Sequence, residues 1–96
     1  MAEAEVEVRN PSGLHARPAA AFVRAAGGFV SDIQVTNLSR NADRSASAKS
    51  VLGVMGLAVG RGHRIRITAD GEDAQDAVAT LTALVEDGLG EELGAG

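Results

Sequence analysis

A histidine and an arginine at the start of a predicted helix are the residues best suited to chemistry. His15 precedes an alanine-rich run, Ala16–Ala26, whose apolar residues recur at helical spacing, and Pro18 falls in its first turn, where a missing N–H costs little. The free N–H groups and the dipole of a helix start favour an anion there and disfavour a proton, so the His15 ring should stay neutral. The Arg17 guanidinium offers paired donors for phosphate oxygens. The pattern predicts a histidine that accepts and donates a phosphoryl group.

Each of these residues also has an ordinary structural interpretation. A lone histidine is more often a capping or surface residue than a site, and Arg17 could be an exposed helix residue, although a cation in the first turn opposes the dipole. Arg24 lies seven residues after Arg17 on the same helical face, so it either solubilises the helix or steers the chain toward an acidic partner. His63 lies in a Gly-Arg-Gly-His turn with no helix after it, and we expect it to be solvated.

Three segments in order resemble the HPr family, the histidine-containing phosphocarriers of the sugar phosphotransferase system. Gly-Leu-His-Ala-Arg-Pro-Ala (13–19) is similar to its phosphorylation motif, and Ala-Lys-Ser-Val-Leu-Gly-Val-Met (48–55) to its regulatory-serine segment. Ile-Thr-Ala-Asp-Gly-Glu-Asp (67–73) resembles its last strand and the turn into its last helix. The similarity extends over about residues 5–91. The spacing from the histidine to the serine is about four residues longer than is usual in this family. We assign the insertion to a hairpin between the second and third strands, because lengthening a surface loop costs little free energy.

The resemblance implies a function and a set of site residues. Enzyme I would donate a phosphoryl group to Nδ1 of His15, Arg17 would stabilise it, and the A domain of a sugar-specific enzyme II would receive it. Ser50 would be the regulatory serine, which a serine kinase/phosphatase modifies in many Gram-positive lineages and which is present without such a kinase in others. From the residues alone, Ser50 is a helix cap. The partner-binding surface that we expect comprises Ala16, Ala20, Arg24, Lys49, Val51, Leu52 and Met55.

Two other functions remain open at this level. One is a regulatory carrier of a nitrogen-related phosphotransfer branch, and the other is a non-phosphorylated α+β interaction module in which His15 is incidental. We expect a monomeric carrier protein and not an enzyme, since the partner enzymes would supply most of the catalysis.

Composition limits the classes of protein further. A chain of 96 residues makes one domain, with a frayed tail at about residues 90–96. The net charge of −4 disfavours a nucleic-acid binder, and the absence of cysteine fits a cytoplasmic protein without disulfides. No apolar run is long enough for membrane insertion, and the N-terminus lacks the pattern of a secretory signal. The sequence shows no cluster of metal ligands and no nucleotide-binding loop, so we expect no cofactor.

The pattern of apolar residues predicts the element order βαββαβα. Strands are expected near residues 3–9, from 29 or 30 to 36, 44–48 and 64–69. Helices are expected near residues 16–26, from 50 to 57 or 58, and from 72 to Gly88. Either Ser47 or Ser50 caps the second helix, whose core face should hold Val51, Val54, Leu57 and Ala58. Helices on one face of a mainly antiparallel sheet would cover every apolar face, an α+β open-faced β-sandwich. The resemblance to HPr implies the strand order 1-4-2-3.

Overall fold

Seven elements follow one another in the predicted order in a computed structural model, which describes residues 1–91. The strands are β1 (Ala2–Glu7), β2 (Asp32–Asn37), β3 (Ser45–Ser47) and β4 (Arg64–Asp70), and the helices are α1 (Ala16–Ala26), α2 (Val51–Gly56) and α3 (Ala74–Glu86). The four strands form one antiparallel sheet in the order β1-β4-β2-β3. The three helices cover one of its faces, so the predicted open-faced sandwich is confirmed.

The core lies between the sheet and the helices. Burial alternates along the central strand β4, with Ile65 and Ile67 fully buried and Arg66 and Thr68 partly exposed. Phe22 of α1 and Leu81 of α3 are fully buried against the same core. On the open face of the sheet, Arg64 of β4 forms an exposed ion pair with a glutamate of β1. This alternation explains why hydrophobic periodicity predicted the architecture.

Several boundaries differ from the prediction by one to three residues. β2 begins at Asp32, not at 29 or 30, because Val30 is 75% exposed and its N–H is bonded to the Asp73 carboxylate. The second helix was predicted to bury four apolar residues, but α2 has only six residues and buries Val54, with Leu57 just after it. Val51 and Ala58 are exposed, so this part of the core-face prediction was wrong.

The interpretation of His63 as a solvated side chain was also wrong. Its ring is half-buried, and Nδ1 accepts the Gly60 N–H at 3.0 Å and lies 3.1 Å from Asn37 Nδ2. The His63 N–H donates to the Gly60 carbonyl at 3.1 Å, and this tight turn places the His63 ring beside Gly60. Asn37 also donates to the Leu57 carbonyl, so these contacts join β2 to the end of α2.

Residues 38–44 form the hairpin between β2 and β3. Asn37 Oδ1 accepts the Ser39 N–H, and Asn41 Oδ1 accepts the Asp43 N–H, each at 3.1 Å. These side-chain turns are typical of asparagine, and they lie between the second and third strands, where the sequence predicted a hairpin.

Of the tail predicted to fray, 90–96, the structure describes Gly90 and Glu91. Leu89, just before it, is buried, and the side chain of Glu91 is hydrogen-bonded to residues near the N-terminus of α1. The remainder of the predicted tail, 92–96, lies outside the described residues.

Candidate functional site

His15 lies at the N-cap of α1, as the sequence predicted. Its backbone is extended, its side chain makes no capping hydrogen bond, and the residue is exposed. The first turn of α1 contains no acidic side chain, so its free N–H groups and positive dipole end meet no competing anion from that turn. An exposed imidazole beside free N–H donors suits the reversible addition of a phosphoryl group.

The backbone next to His15 adopts an unusual conformation. Ala16 has a φ of +52°, in the left-handed region that non-glycine residues rarely occupy. Such a conformation costs on the order of 1–3 kcal/mol and persists only where the surroundings enforce it. It turns the chain sharply from the extended N-cap into the helix.

The loop before His15 is fixed by close packing on another turn. Gly13 has a φ of +61°, and a Cβ at this position would lie only 2.2 Å from the Val59 carbonyl oxygen. The Leu14 N–H donates to that same oxygen at 3.0 Å, and the Leu14 side chain is 1% exposed. The glycine is therefore required for this approach, which holds the chain on the N-terminal side of His15.

Arg17 and Arg24 are exposed and line the same open groove of about 700 Å³. The two arginines thus share one face of α1, as their seven-residue spacing predicted. Ala20 lies between them, and the groove is also lined by Pro11 and residues 89–91. Neither arginine forms an ion pair within residues 1–91, so both guanidinium groups can meet an external anion. Arg24 lies in the last turn of α1, where a cation also favours the helix dipole.

Ser50 caps α2, which decides between the two serines that the sequence left open. Its Oγ accepts the Gly53 N–H at 3.0 Å, whereas Ser47 Oγ accepts the N–H of Lys49. The Lys49 ammonium donates to the Phe29 carbonyl oxygen at 2.6 Å. The regulatory candidate is therefore a structural cap in the unmodified protein.

Apolar side chains of α2 are exposed next to α1, and the two helices are in contact. Leu52 is 84% exposed and Val51 39%, while Met55 is partly buried against the core. On α1, Ala16 is exposed and Ala20 is partly buried. The predicted partner-binding residues thus lie on two adjoining helices, except Lys49, which directly precedes the cap of α2. Exposed apolar side chains grouped in this way are typical of an interaction site.

Three residues that no sequence pattern singled out meet beside this site. The Glu91 carboxylate accepts hydrogen bonds from Asn10 Nδ2 and from the N–H and hydroxyl of Ser12. The bond from Asn10, followed by those from the Ser12 N–H and hydroxyl, holds the pKa of Glu91 below its ordinary value of 4.5. Asparagine and serine before a glycine indicated a turn, but nothing local connected that turn with a glutamate about 80 residues later.

Within residues 1–91, no group of histidine and carboxylate side chains has the arrangement of a metal site. In that same part of the chain, no helix is both long and apolar enough to cross a bilayer.

The fold and the site define a small α+β protein that presents an exposed histidine at a helix start. A family model described as the PTS HPr component phosphorylation site matches residues 2–87. The chain is 47% identical over 81 residues to the phosphocarrier protein HPr of Haemophilus influenzae, covering 84% of this chain and 91% of that protein. The crystal structure of HPr-C-His from Thermoanaerobacter tengcongensis has a TM-score of 0.88 and 41% identity and covers 97% of this chain and 100% of that one. The chain belongs to the HPr family of phosphotransferase-system phosphocarriers, which are not enzymes.

Other relatives differ in length and assembly. The multiphosphoryl transfer protein of Haemophilus influenzae is 43% identical over 88 residues, covering 92% of this chain. This chain spans only 17% of that protein and 23% of its Salmonella typhimurium counterpart. The crystal structure of an HPr dimer from Thermoanaerobacter tengcongensis has a TM-score of 0.71 and 40% identity and covers 95% of this chain and 100% of that one. Our expectation of a monomer therefore stays a prediction.

Proposed function

We propose that His15 is the phosphoacceptor of this chain. It takes a phosphoryl group on Nδ1 from a phosphohistidine of enzyme I and passes it to the A domain of a sugar-specific enzyme II. The observation that carries the proposal is the exposed imidazole at the N-cap of α1, with no capping hydrogen bond and with Arg17 two residues away.

The transfer is a displacement between two imidazoles. The lone pair on Nδ1 of neutral His15 attacks the phosphorus as the donor N–P bond breaks, and the electron pair of that bond returns to the donor ring. Charge spreads over the phosphoryl oxygens during the transfer, and the N–H groups of the first turn together with the Arg17 guanidinium stabilise it. Positioning of the two rings by the docked partner supplies much of the remaining rate.

The docking surface comprises Ala16, Ala20, Val51, Leu52 and Met55, with Arg24 and Lys49 at its edge. The exposure of Leu52 and Val51 supports this role, because water-exposed aliphatic side chains gain most from burial against a partner. A flexible methionine can adapt to more than one partner. The two cations favour encounter with an acidic partner surface.

Ser50 is the regulatory position of this proposal. A phosphate on its Oγ would lie at the start of α2, where negative charge is locally favourable, and next to the apolar docking surface. Modification by a serine kinase/phosphatase would therefore affect docking more than folding. The partners named here are cytoplasmic components, so we propose that the chain acts in the cytoplasm.

The test is incubation of the chain with enzyme I and phosphoenolpyruvate, followed by intact-mass measurement. We expect the mass of one phosphoryl group, lost in acid, on the wild type and none on His15→Ala. That variant retains His63, so it also serves as the control for phosphorylation elsewhere. Acid-labile phosphorylation that persists in His15→Ala would overturn the assignment, and addition of a sugar-specific A domain tests the onward transfer.

A further inference from the structure

The carboxylate of Glu91 is bonded to the loop that leads to His15. Its Oε1 accepts Asn10 Nδ2 and the Ser12 N–H, both at 2.9 Å, and its Oε2 accepts the Ser12 hydroxyl at 2.8 Å. These three bonds connect the last described residue with a loop about 80 positions earlier in the chain. They leave each carboxylate oxygen with at least one donor.

A reversal of the chain after α3 brings Glu91 to this loop. Gly88, Leu89 and Gly90 have successive φ values of +93°, +54° and +85°, which reverse the direction of the chain. A leucine in the left-handed region costs free energy that its surroundings must offset. Leu89 is 3% exposed in the core, and its N–H donates to the Leu84 carbonyl at 3.0 Å. The reversal is therefore fixed by packing and hydrogen bonds.

Asn10 links Glu91 to the rest of the loop through hydrogen bonds. It is fully buried, and its Nδ2 donates to the Gly13 carbonyl at 2.9 Å as well as to Glu91. Its own carbonyl accepts the Gly13 N–H at 3.1 Å, which closes a turn over residues 10–13. His15 follows this turn by two residues, so a carboxylate that fixes Asn10 and Ser12 fixes the approach to the imidazole.

We propose that Glu91 is a positioning residue, which holds residues 10–13 so that His15 is presented to its phosphoryl donor. This inference rests on the function proposed for His15. Removal of the three hydrogen bonds should free the turn, lower the fraction of time in which the ring is correctly oriented, and slow transfer without preventing it. Docking depends on other residues, so the loss should appear in kcat and not in KM.

Three variants of the full chain separate the hydrogen bonds of Glu91 from its charge. Glu91→Ala removes both. Glu91→Gln removes the charge, but its carbonyl oxygen can replace Oε1 and its amide can donate to the Ser12 hydroxyl oxygen. Glu86→Gln is the matched control, since Glu86 is exposed on the last turn of α3 and accepts no side-chain hydrogen bond from another residue within the described part of the chain. Thermal melts verify that each variant is folded.

Hydrogen exchange and transfer kinetics with phospho-enzyme I are the two measurements. In Glu91→Ala, the Ser12 amide should exchange on the order of tenfold faster, as expected when bonds to a charged acceptor are lost, and kcat should fall several-fold with KM unchanged. Glu91→Gln should keep most of the wild-type kcat, and Glu86→Gln should match the wild type in both measurements. The Ser12 amide resonance of the wild type should also titrate with Glu91, below pH 4.5, and this titration should be absent in Glu91→Gln.

Three results would overturn the positioning role. They are a Glu91→Ala variant with wild-type kcat, a Glu91→Gln variant as slow as Glu91→Ala, and an unchanged Ser12 amide in Glu91→Ala. A wild-type chain that gains no phosphoryl group at all would instead refute the function proposed for His15, so the two failures are distinguishable.

Discussion

At the scale of single residues, the site depends on side chains that are exposed and have few partners of their own. His15 makes no capping hydrogen bond, and Arg17 makes no ion pair within residues 1–91. A cation in the first turn of a helix is unfavourable, and an external anion would reverse that cost. These residues therefore contribute little to folding and are available to a ligand.

Arg17 gives the first prediction at this scale. Arg17→Ala should slow phosphoryl transfer while changing the free energy of unfolding by no more than about 0.5 kcal/mol, since the side chain is exposed. Arg17→Lys should restore part of the rate, because lysine supplies charge without the paired donors.

Transfer kinetics with phospho-enzyme I and thermal melts are the measurements. Arg66→Ala, on the sheet strand β4, is the control for loss of a cation elsewhere. Wild-type kinetics in Arg17→Ala would exclude Arg17 from the mechanism.

At the scale of elements, α2 combines a structural and a proposed regulatory role in one serine. Six residues cannot form a stable helix by themselves, so α2 depends on its cap and on Val54 in the core. The same shortness leaves Val51 and Leu52 exposed. A helix too short to bury its apolar residues thus provides the surface that we assign to docking.

Ser50 gives the prediction for this element. Ser50→Ala should lose about 1 kcal/mol of stability with its cap and still transfer normally. Ser50→Asp can cap the helix and adds favourable charge at its start, so it should melt at or slightly above the wild-type temperature. The same charge at the edge of the docking surface should weaken binding to enzyme I and raise KM for transfer.

Thermal melts and transfer kinetics on both variants check this pair of expectations. Ser45→Asp, which places the same charge in β3, should leave KM unchanged. If Ser50→Asp transferred as well as the wild type, Ser50 would be a cap only, and the docking surface would not extend to α2.

At the scale of the whole molecule, two carboxylates connect segments that are distant in sequence. Asp73 accepts hydrogen bonds from the Ser31 hydroxyl and from the N–H groups of Val30 and Ser31, while Glu91 connects the segment after α3 with residues 10–12. The Ser31 hydroxyl and the Val30 N–H are the main causes that hold the pKa of Asp73 below its ordinary value of 3.8. Both carboxyl groups therefore stabilise the fold most when they are ionised.

Acid stability gives the prediction at this scale. A carboxyl whose pKa is lowered by folding stabilises the native state above its unfolded pKa, and this stabilisation is lost as pH falls through the folded pKa. The free energy of unfolding should therefore decline below about pH 4, near the unfolded carboxyl pKa values. Asp73→Asn should be less stable than the wild type at pH 7 and should show a weaker decline in acid.

Urea unfolding at a series of pH values measures both effects. Asp43→Asn, in the exposed hairpin, is the control and should follow the wild-type curve. An Asp73→Asn variant whose curve matched the wild type at every pH would show that these hydrogen bonds do not stabilise the fold.

The sequence by itself determined the element order and the location of His15 and Arg17. These features follow from local causes: apolar periodicity, Pro18 in a first turn, and glycines after α1, all of which act between residues close in the chain. Resemblance to HPr supplied the strand order, which the register of β4 between β1 and β2 confirms.

Only the tertiary structure decided which distant residues meet. The half-buried ring of His63 against Asn37, the Asp73 carboxylate at Ser31, and Glu91 bonded to Asn10 and Ser12 all join segments at least 26 residues apart. No local pattern specifies such pairs, because each side chain alone resembles an ordinary surface residue. Their partners are fixed only when the packing of the helices on the sheet brings the two segments together.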